Sequence, residues 1–156
     1  MYQIGIDVTK TSSSPEYGLG SLAANSTSVG TKIYKYVKYN VGAGSVAAVA
    51  GNVAGYYAAS GASAGAYTEV TSDVSDTAGL GAGVLQAVIA DGEYGWIQIK
   101  GVATLTTALT AGADGNALTL VGAGDGTLDV SGLVTDAVVA YAVDATAKIV
   151  LCDFPM

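Results

Sequence analysis

Hydrophobic and polar positions alternate along most of this chain, and a period of two predicts strands. Tyr2 to Val8 sets Ile4, Ile6 and Val8 against Gln3, Gly5 and Asp7, a short strand. From Lys10 to Gly30 the alternation gives way to Ser, Thr, Gly and Asn around Pro15, which reads as a loop or extended arm without a core of its own. It resumes from Thr31 to Val41. There Ile33, Lys35, Val37, Tyr39 and Val41 share one face, and Tyr34, Tyr36, Lys38 and Asn40 share the other. An edge strand so rich in Tyr has to pair or dock.

At Ser45 the period changes. Val46, Val49, Val53 and Tyr57 fall at i, i+3, i+7 and i+11, so a short helix is expected near 45–57, capped by Ser45 and weakened by Gly51 and Gly55. Ser60 to Gly83 is small, polar and Gly-rich, a long loop with one short strand around Tyr67 to Val70.

The clearest pattern follows. Val84–Ala90 and Glu93–Leu105 form a hairpin about Asp91-Gly92, a pair suited to a two-residue type I′ turn. That register sets Ala87 opposite Trp96 and Val88 opposite Gly95. Ile97, Ile99, Ala103 and Leu105 keep to one face, with Gly101 as a bulge or bend; Tyr94, Trp96, Gln98, Lys100, Thr104 and Thr106 take the other. The residues expected to organise the fold are therefore Asp91, Gly92, Trp96, Ile97 and Ile99. Two Gly/Asp turns, at 112–116 and 122–126, then flank Leu118 to Val121, and Leu128 to Val130 follows. Their spacing of ten and their two copies fit hairpin turns better than a calcium-binding nonapeptide repeat. Ala137–Val143 and Lys148–Phe154, rich in β-branched residues, form a closing hairpin. The fold class expected is mainly β: a small barrel or sandwich of antiparallel hairpins with one short helix and an extended N-terminal arm. Residues 1–31 make the strand and arm, and 32–156 the β-rich body.

Composition narrows the chemistry. Charged residues are only 12% of the chain, about half the usual share. A surface this sparsely charged favours burial against other subunits. With a net charge of −7, no Arg and no one-sided basic patch, nucleic acid is not an expected partner. The uncharged span 39–68 is broken by Asn40, Ser45, Asn52, Ser60 and glycines, so a membrane is not expected either. Nor is a signal peptide, because the N-terminus lacks a basic region and an apolar run.

The chain has no His, which removes the usual general base and the commonest metal ligand. The single Cys, Cys152, sits in an apolar run and reads as a buried thiol. Asp91, Asp114, Asp125 and Asp129 lie in or beside turns, where Asp is a turn former. Gly124-Asp125-Gly126 lacks the Lys and the helix of a phosphate loop. No enzyme activity and no cofactor are expected.

A resemblance supplies the partner. The run Asp91-Gly92-Glu93-Tyr94-Gly95-Trp96-Ile97-Gln98-Ile99-Lys100-Gly101 resembles the central hairpin of capsid decoration (cement) proteins of tailed bacteriophages. So does Lys35-Tyr36-Val37-Lys38-Tyr39-Asn40 with the Ala/Gly/Val stretch behind it. Ala140 to Asp144 and Leu151 to Phe154 are similar to their closing strands. The resemblance spans about 32–156. It implies a small β protein, usually trimeric, on the outer surface of the virion capsid, bound to the major capsid protein and clamping neighbouring capsomers. Clamping needs extended surfaces and an arm that orders on its neighbours. The candidate interface residues are Tyr2, Ile4, Ile6 and Tyr17 in the arm, with Tyr34 and Tyr36 on the Tyr-rich strand. On this reading the arm is mobile in the free protein. The alternative is a fibre or surface module binding a host glycan or receptor, although an exposed aromatic platform is hard to reconcile with Trp96 in mid-strand.

Overall fold

A computed structural model describes residues 2–58 and 67–156. Met1, the side chain of Tyr2 and the first part of the loop expected over 60–83 lie outside the described residues. Eleven strands join in one sheet, in the order β1-β2-β3-β5-β4-β6-β7-β11-β10-β8-β9. They are β1 (Tyr2–Gln3), β2 (Leu22–Thr27), β3 (Gly30–Tyr39), β4 (Val53–Tyr57), β5 (Glu69–Thr71), β6 (Thr77–Leu85), β7 (Tyr94–Thr104), β8 (Ala117–Thr119), β9 (Asp129–Val130), β10 (Val138–Asp144) and β11 (Ile149–Asp153). A further pairing of β3 with β7 closes β3, β5, β4, β6 and β7 into a five-stranded barrel, with the remaining strands outside it. The mainly β class is as expected. Among the described residues the one helical piece is a single 3-10 turn, Val74–Asp76.

Strand β7 belongs to both parts of the molecule. Its first half pairs antiparallel with β3, from Lys38↔Tyr94 to Ile33↔Lys100, and its second half pairs with β11, from Asp153↔Lys100 to Ile149↔Thr104. The handover occurs at a bulge. Tyr34 pairs with Gln98 and Ile33 with Lys100, so Ile99 has no opposite residue on β3. Its carbonyl accepts instead from the Phe154 N–H at 3.0 Å. Gly101 follows with φ +90, and a Cβ there would lie 2.7 Å from the Thr31 carbonyl. The bend expected at Gly101 is therefore present, and only glycine fits both its backbone and its space.

The alternation along β7 sorts its residues as expected. Ile97, Ile99, Ala103 and Leu105 are buried in the main core with Val37, Tyr39, Val70 and Leu85. The inner face of the outer sheet adds Leu118, Val139, Ala140, Val150, Cys152 and Phe154 to the same core, so barrel and outer sheet share one interior. Phe154 reaches the barrel because Gly81 leaves room; a Cβ at Gly81 would stand 2.9 Å from its ring. The closing hairpin is present, with Tyr141↔Leu151 and Ala140↔Cys152 paired. The Gly/Asp turns likewise bring β8 and β9 together, Leu118↔Val130.

Four expectations fail, each for a physical reason. No helix forms near 45–57. Residues 42–45 and 50–51 turn, Ser45 takes φ 55 in place of a capping geometry, and Val53–Tyr57 is β4, paired with both β5 and β6. Gly and β-branched residues weaken a helix, and two flanking strands satisfy the same backbone groups. The loop expected over 60–83 contains β6, whose small residues fit closely: a Cβ at Gly83 would meet the Gln98 carbonyl at 2.7 Å.

The central hairpin also differs. The pairs are Leu85↔Ile97 and Val84↔Gln98, and the strand stops at Leu85, so Ala87 does not face Trp96. Residues 86–93 form a wider loop, with Glu93 N–H donating to the Ala90 carbonyl at 3.0 Å. Only Gly92, at φ +76, has a positive φ there, so the turn is not type I′. Finally, the segment read as an arm contains β2, which pairs with β3 from Leu22↔Lys35 to Thr27↔Gly30 and holds Tyr2 and Gln3 in parallel on its other side. The strand expected over Tyr2 to Val8 is only those two residues.

Candidate functional site

The arm returns over the outer face of the barrel. On that face β3 presents Tyr34 and Tyr36, and β7 presents Trp96; together with Ala23 these form a second buried cluster, packed by Ile6, Val8, Tyr17 and Tyr94. The Tyr17 ring meets Tyr36 edge-on at 5.2 Å and Trp96 at 5.3 Å. Ser12 exchanges backbone hydrogen bonds with Tyr94, and its hydroxyl lies 3.0 Å from the Tyr36 hydroxyl, which also accepts from the Glu16 N–H. Lys10 and Glu16 form an ion pair within the arm at 2.9 Å. Aromatic contacts of this kind are each worth about 0.5–1.5 kcal/mol beyond their area.

This settles where the candidate interface residues sit. Tyr34 and Tyr36 lie beneath the arm and not at an open surface. Ile6 and Tyr17 are half-buried against them, and Ile4 is 87% exposed. Trp96 is 1% exposed, so its indole offers no platform to a glycan. Among the residues expected to organise the fold, Trp96, Ile97 and Ile99 are fully buried. Asp91 accepts from the Val41 N–H at 3.1 Å and Gly92 N–H donates to the Tyr39 carbonyl, which ties the loop to the end of β3.

The carboxylates hold turns. Asp114 accepts from the Ala145 N–H, Asp125 from Val74 and Asp144 from Ala147. Asp73 takes the Gly44 N–H at 2.7 Å and both the N–H and hydroxyl of Ser75, which hold its carboxyl below the usual range. Gly42 and Gly44 admit it, since a Cβ at either would stand 2.7 Å from its Oδ2. No group of three or more His, Cys, Asp or Glu among the described residues is placed to hold a metal ion. The Cys152 thiol is buried and pushed up to about 12 by desolvation.

The open apolar surface is elsewhere. On the outer face of the outer sheet, Val102, Leu151, Tyr141 and Ala117 stand in register across β7, β11, β10 and β8. Leu151 and Tyr141 are 44% and 45% exposed, and Val143 further along β10 is also exposed. The ion pair of Lys100 with Asp153 borders the row. The loop after β9 carries Leu133 and Val134 at its exposed tip, held by Asp136, whose Oδ2 accepts from the Gly132 and Leu133 N–H groups. No family model, curated protein or solved structure matches the chain.

Sequence reasoning missed this row. Its signal was present in the alternation of Tyr141 and Val143 against Ala140 and Ala142, which is apolar on both faces. A strand apolar on both faces is buried on both or has one face left for a partner.

Proposed function

We propose that this chain is a structural virion protein, a homotrimer that binds the major capsid protein on the outer surface of a phage capsid and stabilises contacts between capsomers. The observation that carries the reading is the uncovered row Val102, Leu151, Tyr141 and Ala117, an apolar sheet face on a chain with few charges. Exposed apolar faces of this kind serve contact with other protein surfaces. The loop tip at Leu133 and Val134 and the exposed Ile4 offer further apolar contacts. The resemblance of the β7 and β10–β11 segments to decoration proteins supplies the partner.

Co-sedimentation with expanded phage shells, together with sedimentation equilibrium of the free protein, tests it. The parent chain pellets with shells and sediments alone as a trimer. Tyr141→Asp combined with Leu151→Asp reduces shell binding or trimerisation by at least about tenfold while the circular dichroism spectrum stays native. Failure of the parent chain to bind shells at any salt concentration overturns the reading.

A further inference from the structure

Beside the apolar row, a cavity of about 270 Å³ opens between Lys32, Gln86, Gln98, Thr104 and the turn at Gly51, with Leu85 and Ala103 among its apolar lining. Thr104 lines it from the row's side of β7, two residues from Val102, and Ala103 lines it from the core side. The volume is below that of a typical drug-sized or cofactor pocket and suits a group of a few heavy atoms.

Two features of its polar groups select the occupant. The first is Lys32. Every other lysine has a partner: Lys10 with Glu16, Lys35 with the Tyr56 hydroxyl, Lys38 with Glu69, Lys100 with Asp153, and Lys148 with the Thr106 carbonyl. Among the described residues Lys32 has no acidic partner, and residues 59–66 contain no acidic side chain. It is half-buried, its Cα and Cγ each 3.3 Å from where a Gly101 Cβ would be, so the glycine lets its stem lie flat on β7. Among the described residues it is the one lysine of the six with neither an ion pair nor a side-chain hydrogen bond.

The second is Gln98. It is 2% exposed, and its Nε2 donates to the carbonyls of Lys100 and Val102 at 3.1 and 3.0 Å. Two carbonyls on one atom fix the amide orientation and leave Oε1 as an acceptor with no protein donor among the described residues. Gln86 repeats the arrangement: Nε2 donates to the Val84 carbonyl at 2.8 Å, which leaves its Oε1 over. A cation with two amide acceptors, in a small half-open cavity, is complementary to a carboxylate attached to N–H donors.

We propose that this cavity receives an acidic residue of a partner polypeptide, with its carboxylate on Lys32 and its main-chain N–H groups on the Gln98 and Gln86 amide oxygens. The identification of that polypeptide as the capsid protein rests on the function proposed above; the chemistry of the cavity does not. Charge-assisted contact to Lys32 sets register and orientation beside an apolar row that has no charge of its own.

Two measurements separate the claims. In the first, N-acetyl-glutamate N-methylamide is titrated into the free protein and followed by the side-chain amide signals of Gln86 and Gln98. At about 10 mM probe, ten times a 1 mM dissociation constant, both signals shift saturably. The neutral N-acetyl-glutamine N-methylamide binds about tenfold more weakly, and Lys32→Met, with an otherwise native spectrum, binds both probes as weakly as the parent binds the neutral one. Absence of saturable shifts, equal shifts with both probes, or an unchanged response in Lys32→Met overturns the proposal. In the second, Lys32→Met and Lys32→Arg are compared in shell binding. Loss of affinity in the first and retention in the second assign the acidic residue to the shell. Probe binding without shell binding by the parent chain leaves the cavity standing and removes the capsid reading.

Discussion

Single residues carry opposite electrostatic signs in the interior of this molecule. Lys35 lies on the core face of β3, 5% exposed, with its ammonium 2.9 Å from the Tyr56 hydroxyl and no carboxylate beside it. Tyr56 in turn lies 3.4 Å from the Pro155 carbonyl and meets Tyr67 edge-on. Burial holds the Lys35 amine below its ordinary 10.5, and burial pushes the Tyr56 phenol up to about 12. For Lys35 the unfolded chain keeps a proton that the folded chain has shed, between the lowered value and 10.5, so its contribution to stability rises with pH across that window. For Tyr56 the folded chain keeps the proton, so its contribution is lost as pH rises from 10.0 toward about 12. Lys35→Met removes the buried charge. Urea unfolding across a pH series is expected to find this variant more stable than the parent near neutrality, with the difference closing as pH approaches 10.5. A difference that stays constant with pH would show that the ammonium is not desolvated in the folded state.

At the scale of elements, the sharpest contrast is between the helix expected near 45–57 and the strand found there. Ala at an exposed helical position is about 1 kcal/mol better than Gly, so a helix predicts that Gly55→Ala stabilises the protein. In β4 the same Cβ would stand 2.4 Å from Leu120 Cδ2 and 2.7 Å from Thr77 Cγ2. Gly55→Ala is therefore expected to cost about 1–3 kcal/mol in thermal or urea unfolding. The sign alone distinguishes the two elements. The helix was misread because Val46, Val49, Val53 and Tyr57 form a helical stripe by spacing, while only one of the strands needed to contradict it was recognised. Pairing partners far away in sequence leave no mark on local periodicity. Where alternation ran long, as in β3 and β7, strands and faces were legible from residues alone, and for β10 and β11 the strands were. Gly-rich β6 was not, since its glycines serve close packing against Phe154 and Gln98 and look like loop residues in isolation. Of the candidate site, the Tyr-rich strand was found but its cover was not, because Tyr17 comes over Tyr36 and Trp96 only after the barrel has closed.

At the scale of the whole molecule, the N-terminal segment behaves as part of the body. If it ordered only on neighbouring subunits, loss of Tyr17 would leave the free protein unaffected. With its ring packed against both Tyr36 and Trp96, Tyr17→Ala is expected to destabilise the free protein by about 1–3 kcal/mol, two aromatic contacts at about 0.5–1.5 each. The same variant moves Trp96 fluorescence to longer wavelength as water reaches the indole, and an unshifted spectrum would contradict the packing.

The order of the strands also governs how such molecules behave when crowded together. The two outermost strands, β1 and β9, are two residues each, and the barrel consumes its own edges by joining β3 to β7. Unpaired strand edge among the described residues includes the end of β2, where Asn25, Ser26 and Thr27 are polar, and the first part of β6, which β7 meets only at Val84 and Leu85. A protein that meets many copies of itself at high local density would polymerise through open sheet edges into fibrils. The two-residue outermost strands and the closed barrel give such growth little to start from.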